Sequence, residues 1–329
     1  MCTSIFTETK DGYHILSRTM DFSFPLNPNP LFMPRKYTWV AEADDMVYVN
    51  RYGFVGAGNE AANTYMVADG VNEKGLSIAE LYLPGEVHYQ TESEDYQINL
   101  APHEFIMWAL GNCESILDLE NRIEDVNIVG LKAPLIGVVT PIHWIITDES
   151  GRCVVIEPTQ RTLVIQENPV GVMTNSPCFD WHVDNLRNYL NVQPKQYEPK
   201  MFGDYKAVPF SQGTGTMGLP GGYTPPERFV RAAFFKEHIG QAQNEVEGVS
   251  NAYHILATAR IPKGIVITAE GAEDYSQYVG TMCNESRSYY FNAYENNQVA
   301  KVTLTKELLK SQKPIMFMAD KVEMIKELN

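Results

Sequence analysis

The sequence predicts a layered α+β fold with antiparallel sheets. Short β-branched and apolar runs separated by tight-turn sequences indicate antiparallel strands, and other segments carry apolar residues at helical spacing. Because strands and helices fall in separate blocks, the pattern favours layered sheets and helices over a βαβ parallel sheet. The chain has 329 residues, of which 44% are hydrophobic, and this is enough for a sizeable core.

The strand predictions depend on turn sequences between the apolar runs. Lys10-Asp11-Gly12, Glu149-Ser150-Gly151 and Glu295-Asn296-Asn297 each indicate a hairpin turn. The predicted strands are residues 4–7, 14–17, 143–147, 153–156, 162–165, 171–174, 288–292 and 299–304.

Helices are predicted over residues 102–110 and 115–123, and from Pro225-Pro226-Glu227 through Phe235. Proline is tolerated in the first turn of a helix, so the Pro-Pro pair predicts a helix start. The segment of about residues 191–226 is rich in Pro, Gly, Gln and Tyr. It is too long for an ordinary connection, which indicates a functional segment, an assembly element or a partly mobile one.

Composition excludes several classes of function. The chain carries 26 basic and 41 acidic residues, a net charge of −15, which disfavours nucleic-acid binding. The N-terminal residues lack the basic and apolar stretches of a signal peptide, and no apolar window is long enough to span a bilayer. We therefore expect a cytoplasmic protein. Its five cysteines are scattered without a CxxC pair, which predicts reduced thiols rather than disulfides or a zinc site.

Several possible sites are discounted. The seven histidines form no HxH or HExxH grouping, so no catalytic metal is expected. Glycine patterns at residues 56–61 and 213–218 resemble dinucleotide fingerprints, but the first lacks a βαβ frame and the second runs into Leu219-Pro220-Gly221-Gly222. Cys178 and His182 are one helical turn apart, and we interpret both as structural residues.

Cys2 is the strongest candidate nucleophile. If Met1 is removed, Cys2 carries a free α-amine beside its own thiol, with a reference pKa of about 7.7–8.0. Such an amine can accept the thiol proton, directly or through water, and later pass it to a leaving amine. In a chain that keeps Met1, that nitrogen is part of a peptide bond and hydrolysis is expected to fail.

Two charged residues are predicted to lie close to Cys2. If residues 4–7 and 14–17 pair as a hairpin, Arg18 and Asp21 return to the start of the first strand. Arg18 would then favour the thiolate, and Asp21 would orient the α-ammonium. The alternative is an Arg/Asp pair on the surface beside a turn.

On these residues the chain resembles the choloylglycine hydrolase family of N-terminal-nucleophile enzymes, which includes penicillin V acylases and bile salt hydrolases. The resemblance covers nearly the whole length. The motifs that carry it are Met1-Cys2-Thr3, Ser17-Arg18-Thr19-Met20-Asp21-Phe22, the segment from Ala68 to Leu76, His143-Trp144, Met173-Thr174-Asn175-Ser176-Pro177, Gly218-Leu219-Pro220-Gly221 and Glu227-Arg228-Phe229.

The resemblance implies a four-layer αββα sandwich of two antiparallel sheets between helices, formed as a single domain over residues 1–329. It implies that Cys2 is the nucleophile and that Arg18 and Asp21 support it. Asn175, just after a predicted strand, would donate to the oxyanion together with a backbone N–H near Tyr82. Arg228 is carried over as a supporting residue. The resemblance implies no metal and no organic cofactor.

The substrate prediction depends on one short segment. In Leu81-Tyr82-Leu83-Pro84-Gly85, a tyrosine stands where bile salt hydrolases tend to have asparagine, which favours penicillin V acylase over bile salt hydrolase. Acyl-homoserine lactone cleavage is a minor alternative. A non-catalytic binding relative is another, although Cys2, Arg18, Asp21, Asn175 and Arg228 are all present.

The resemblance also suggests an acyl pocket and an assembly. The candidate pocket residues, for which core packing is the alternative, are Met20, Phe22, Ala61, Tyr65, Ala68 and Leu135. The segment of residues 191–226 resembles the one that family members use to contact a neighbouring subunit, so a homotetramer is expected. The expected partner is a small-molecule amide.

Overall fold

A computed structural model describes residues 1–61 and 64–329. Within these residues the α-helices are α1 (Phe105–Asn112), α2 (Ile116–Glu120), α3 (Phe179–Asn185), α4 (Pro225–His238) and α5 (Glu245–Ala257). The strands are β1 (Cys2–Glu8), β2 (His14–Phe22), β3 (Asn29–Met33), β4 (Thr38–Val40), β5 (Val47–Val49), β6 (Phe54–Ala61), β7 (Thr64–Asn72), β8 (Ser77–Tyr82), β9 (Ile98–Leu100), β10 (Val126–Ile128), β11 (Ile142–Thr147), β12 (Cys153–Ile156), β13 (Ile165–Glu167), β14 (Val172–Met173), β15 (Lys200–Phe202), β16 (Tyr205–Ala207), β17 (Val266–Ile267), β18 (Glu273–Cys283), β19 (Ser288–Ala293), β20 (Ala300–Thr303) and β21 (Ile315–Met316).

Two large antiparallel sheets form the centre of the molecule. The first has the order β14-β1-β2-β18-β19-β20, with β17 added beside β18, and the second has the order β13-β12-β11-β8-β7-β6-β3-β21. Side chains from both sheets, such as Ile5 and Leu16 from the first and Val55 and Val71 from the second, share one buried cluster. Burial of this apolar surface is the main force that holds the two sheets together.

Helices cover the outer faces of both sheets. Helices α4 and α5 pack on the first sheet, where Phe229 and Ile255 are fully buried. Helix α1 packs on the second sheet, where Phe105 and Trp144 lie with ring centroids 4.3 Å apart. The layers therefore run helix, sheet, sheet, helix, which is the predicted αββα sandwich.

The three predicted hairpins are confirmed as β1–β2, β11–β12 and β19–β20. The strand predicted at residues 162–165 lies further along the chain, because β13 begins only at Ile165. Leu163 is buried, so the apolar run that suggested a strand fills the core before strand pairing starts. The helix predicted at residues 115–123 is shorter, since α2 ends at Glu120 and a 3₁₀ turn follows at Ile123–Asp125.

The helix predicted from Pro225 is α4, and its two prolines occupy the first turn as expected. Before it, the segment of residues 191–226 is largely irregular and contains the exposed hairpin β15–β16. None of the described helices has the length and apolar character needed to cross a membrane.

Candidate active site

The β1–β2 hairpin places Cys2 beside Arg18. In this hairpin Cys2 pairs with Met20, and Ser4 pairs with Arg18. Residues two apart on a strand share a face, so this register puts the thiol and the guanidinium on the same side of the sheet. The Arg18 Nη2 lies 2.9 Å from the Cys2 Sγ, and Cys2 is only 3% exposed. The predicted proximity of Arg18 to Cys2 is present in the structure.

Arg18 is held by a carboxylate that the sequence did not point to. Its Nη1 donates to the Asp69 Oδ2 at 3.0 Å, and the Asp69 carboxylate also accepts hydrogen bonds from the hydroxyls of Tyr278 and Tyr289. All four side chains are fully buried. Asp69 lies in the motif that begins at Ala68, but spacing alone gave it no partner.

The electrostatics of this cluster keep Arg18 charged. Burial alone would lower the pKa of the Arg18 guanidinium, but the electrostatic interactions with Cys2, Tyr278 and Asp69 raise this pKa well above its ordinary value. The guanidinium therefore places a positive charge 2.9 Å from the Cys2 sulfur.

Asn175 and Arg228 hold the backbone side of Cys2. The Cys2 N–H donates to the Asn175 Oδ1 at 2.9 Å, and the Arg228 Nη2 donates to the same oxygen at 2.6 Å. Arg228 also donates to the Cys2 carbonyl and to the Thr3 hydroxyl. Helix α4 carries Arg228, and Asn175 follows β14, so two separate elements meet at the first strand.

The orientation of the Asn175 amide follows from its neighbours. Its oxygen faces two donors, while its Nδ2 donates to the Tyr82 carbonyl at 2.7 Å. Only this assignment of oxygen and nitrogen satisfies all three partners. Because an amide nitrogen carries two hydrogens, Asn175 keeps one N–H beyond the bond to Tyr82. The Tyr82 contact seen here is therefore made through its carbonyl, and donation by a backbone N–H near Tyr82 stays a prediction.

The role predicted for Asp21, orienting the freed α-amine of Cys2, stays a prediction, because in the described chain that nitrogen is bonded to Met1. The Met1 ammonium donates to the Asp21 backbone carbonyl at 2.7 Å and lies 3.5 Å from the Asp274 Oδ2. The Asp21 carboxylate instead accepts hydrogen bonds from Thr19 and Ser276. Burial raises the pKa of Asp274, and the terminal ammonium opposes this shift. Asp274 is a neighbour of the terminus that sequence reasoning missed.

A cavity next to Cys2 and Arg18 opens to solvent, and the empty space within it and at its mouth is about 710 Å³. Four of the predicted pocket residues line it: Met20, Phe22, Ala68 and Leu135. Tyr82 lines it too, and its ring packs edge-on against Phe22 with centroids 6.2 Å apart.

Ala61 and Tyr65, which were also predicted as pocket residues, are not among the described residues that line this cavity. They lie at the far end of the β6–β7 pair, where Glu60 faces Tyr65 and Ala61 faces Thr64. The Tyr65 ring packs against Tyr37 instead, with centroids 6.0 Å apart. The spacing of residues along the chain did not reveal that these two positions lie away from the cavity.

The other candidates from the sequence have local partners. The His182 Nε2 bonds to the Asn175 carbonyl at 2.8 Å, and burial lowers the pKa of His182. Burial raises the pKa of the Cys178 thiol to about 12, so this thiol stays protonated. Glu42, His103 and Glu104 bring possible metal-ligating atoms within 4.8 Å of one another, but both Glu104 carboxylate oxygens accept backbone N–H groups.

An antiparallel αββα sandwich with a buried cysteine on its first strand, beside an arginine and an amide donor, defines a class of hydrolase that cleaves linear amide C–N bonds. A model of the linear amide C–N hydrolases, choloylglycine hydrolase family, matches residues 2–317. The chain belongs to this family, as its motifs suggested.

The chain is similar to bile salt hydrolases and, at lower identity, to a penicillin V acylase. The bile salt hydrolase/transferase of Clostridium perfringens (strain 13 / Type A) is 35% identical over 309 residues, covering 94% of each chain. The structure of the C2A mutant of the conjugated bile acid hydrolase from Clostridium perfringens superimposes with a TM-score of 0.92 at 34% identity over the full length of both chains. The penicillin V acylase of Pectobacterium atrosepticum is 22% identical over 313 residues, covering 89% of this chain and 78% of its own.

Proposed function

We propose that this hydrolase cleaves conjugated bile salts and releases glycine or taurine, with Cys2 as the nucleophile. The observation that carries the proposal is the 35% identity, over 94% of both chains, to a protein named a bile salt hydrolase/transferase. The apolar cavity beside Cys2 supports it, because an acyl group placed there brings its carbonyl to the sulfur.

In the proposed mechanism, removal of Met1 frees the α-amine of Cys2, which accepts the thiol proton. Arg18 stabilises the thiolate as it attacks the amide carbonyl, and the remaining N–H of Asn175 donates to the oxyanion. The α-ammonium returns the proton to the leaving amine, which departs as the thioester forms. Water, activated by the same amine, then hydrolyses the thioester and restores Cys2. Arg228 and Asp21 hold the backbone and the amine in place.

Penicillin V is the second candidate substrate. The sequence favoured it because of Tyr82, and the edge-on pair of Tyr82 and Phe22 in the cavity wall suits a flat phenoxyacetyl group. The comparisons favour the bile salt alternative instead, since the penicillin V acylase relative is only 22% identical. Acyl-homoserine lactone cleavage remains a minor candidate for the same apolar cavity.

A side-by-side assay on protein from which Met1 has been removed tests the proposal. We expect glycine and taurine release from conjugated bile salts at a higher kcat/KM than cleavage of penicillin V or of an acyl-homoserine lactone. The Cys2→Ala variant should lose roughly 10⁴-fold or more of this activity. Faster release of 6-aminopenicillanic acid would move the assignment to the second candidate, and no amide cleavage at all would support the non-catalytic relative.

We also propose a homotetramer that assembles through the segment of residues 191–226. Large apolar side chains stand out from it, with Phe202 63%, Tyr205 69% and Phe210 fully exposed, and such patches mark interaction surfaces. Light scattering should give four times the mass of 37.1 kDa, and Phe210→Ser with Phe202→Ser should lower it. A monomeric parent protein would contradict this proposal.

We further propose that residues 1–329 form one domain and that the protein is located in the cytoplasm.

A further inference from the structure

Asn175 lies just beyond the strand that leads to it. Strand β14 ends at Met173, and its pairing with β1 ends where Met173 faces Ser4. The ladder hydrogen bonds of the sheet therefore do not hold the Asn175 backbone. The direction of a side chain follows from the two backbone torsions of its residue, so contacts outside the sheet decide where this amide points.

Two buried histidines hold the peptide groups on either side of Asn175. The His143 Nε2 donates to the Thr174 carbonyl at 3.0 Å, and the His182 Nε2 donates to the Asn175 carbonyl at 2.8 Å. Because a carbonyl oxygen only accepts hydrogen bonds, each of these nitrogens carries a proton. The two carbonyls belong to the peptide groups before and after the Asn175 α-carbon, so the two bonds together restrict both of its torsions.

Glu157, directly after β12, connects the two histidines. Its Oε1 lies 3.0 Å from the His143 Nδ1. Its two carboxylate oxygens accept the N–H of Phe179 at 3.1 and 3.0 Å, and Phe179 is the first residue of α3, the helix that carries His182. A shift of the Glu157 carboxylate would therefore act on both bonds to the backbone carbonyls.

The surroundings of the two histidines suit a structural donor rather than a group that reacts. Neither ring is among the described residues that line the cavity beside Cys2. The His182 ring stacks on Phe229 with centroids 4.8 Å apart, and burial lowers its pKa, so it is neutral at pH 7. Its Nδ1 is buried and makes no hydrogen bond to any described residue. A proton there would lack an acceptor, which keeps the single N–H at Nε2.

We propose that His143, His182 and Glu157 are positioning residues that orient the Asn175 amide toward the oxyanion. The proposal deepens the proposed amide hydrolysis and rests on the role of Asn175 in it. An amide donor assists catalysis only if its N–H points to the place where the negative charge develops. A small rotation of the Asn175 backbone would move that N–H away and leave the nucleophile in place.

His143→Gln and His143→Asn form a matched pair that tests the proposal. The amide nitrogen of glutamine reaches about as far as the histidine Nε2, whereas that of asparagine reaches only as far as Nδ1. We expect His143→Asn to lower kcat by roughly tenfold with KM nearly unchanged, because the oxyanion bond acts only in the transition state. His143→Gln should retain most of the parental kcat. Steady-state assays on Met1-trimmed protein with conjugated bile salts measure both.

Two controls separate a misplaced amide from general damage. Cys2 in His143→Asn should react with iodoacetamide at the parental rate, because Arg18 keeps its contacts. His254→Asn, at an exposed position of α5, should keep the parental kcat. If His143→Asn fails to fold, the same pair of substitutions at His182 decides. Equal losses for the glutamine and asparagine variants, or no loss in either, would overturn the proposal.

A double-mutant cycle links the effect to Asn175. Asn175→Ala alone should lower kcat by roughly 10²–10³-fold, the size of one lost oxyanion donor. In that background His143→Asn should have almost no further effect, because the amide that it orients is gone. An undiminished further loss would show that His143 acts elsewhere and would overturn the proposal.

Crystal structures of the variants distinguish this proposal from the proposed function. In His143→Asn the Asn175 Nδ2 should move away from the Tyr82 carbonyl, while in His143→Gln the 2.7 Å contact should remain. This result would support the positioning role even if the parent protein cleaved no amide, an outcome that would refute the proposed function alone. An unmoved Asn175 amide in His143→Asn would refute the positioning role alone.

Discussion

Two arginines flank Cys2, and their surroundings differ. Arg18 and Arg228 are both fully buried, but Arg18 bonds to the Cys2 sulfur, a carboxylate and a phenol. Arg228 bonds to neutral oxygens, namely the carbonyls of Cys2 and Tyr223, the Thr3 hydroxyl and the Asn175 amide. The Arg18 guanidinium therefore contacts the charged carboxylate of Asp69, whereas these hydrogen-bond partners of Arg228 are neutral dipoles.

The pKa shifts of the two arginines follow these surroundings. Burial lowers the pKa of Arg228, and the electrostatic interactions with Asp21 and Cys2, which raise this pKa, do not reverse the shift. At Arg18 the same effect of burial is overcome by Cys2, Tyr278 and Asp69, and the pKa is raised. The difference teaches that a buried arginine can set the charge of a nucleophile or can hold its backbone. We infer the first role for Arg18 and the second for Arg228.

The largest effect is expected for Arg18→Met. The substitution leaves the Asp69 carboxylate buried without its counter-charge, so unfolding free energy should fall by roughly 3–5 kcal/mol. Alkylation of Cys2 by iodoacetamide at pH 7 should also slow sharply, because the thiolate loses its cation. Urea unfolding and the alkylation rate of Met1-trimmed protein measure the two effects.

The double variant Arg18→Met with Asp69→Asn serves as the control for this prediction. Asparagine removes the stranded charge, so much of the stability should return while alkylation stays slow. Unchanged alkylation in a folded Arg18→Met protein would contradict the role of Arg18 in setting the charge on Cys2.

A smaller effect is expected for Arg228→Met. Its partners are neutral, so the cost should be that of a few unsatisfied polar groups, roughly 1–3 kcal/mol of unfolding free energy. Alkylation of Cys2 should stay near the parental rate, while kcat falls because the backbone and Asn175 are less firmly held. If alkylation slows as much as in Arg18→Met, the proposed distinction between the two arginines is wrong.

The part of the site that lies on one hairpin could be predicted from the sequence. The turn at Lys10-Asp11-Gly12 fixes the register of β1 and β2, and this register alone brings Arg18 to Cys2. The start of α4 could also be predicted, because the geometry of proline restricts where Pro225 and Pro226 can lie. These predictions depend on short-range constraints, which the sequence expresses directly.

The rest of the cluster depends on how the two sheets pack. Asp69 reaches Arg18 across 51 positions of the chain and Tyr278 reaches it across 260, so no spacing rule connects them. The same reason explains why the sequence placed Ala61 and Tyr65 in a pocket although they do not line the cavity beside Cys2 in the described part of the chain. Asn175 and Arg228 were found only through the family resemblance of their motifs.

The contacts of Arg18 with Asp69 and with the Glu80 carbonyl join the first sheet to the second. The sulfur belongs to one sheet, while Ala68, Glu80 and Tyr82 of the cavity wall belong to the other. Substitutions along β7 and β8 can therefore change one part of the cavity wall without replacing Cys2 on β1. Because the nucleophile and this part of the cavity wall lie on different sheets, related enzymes can accept different acyl groups and keep the same nucleophile.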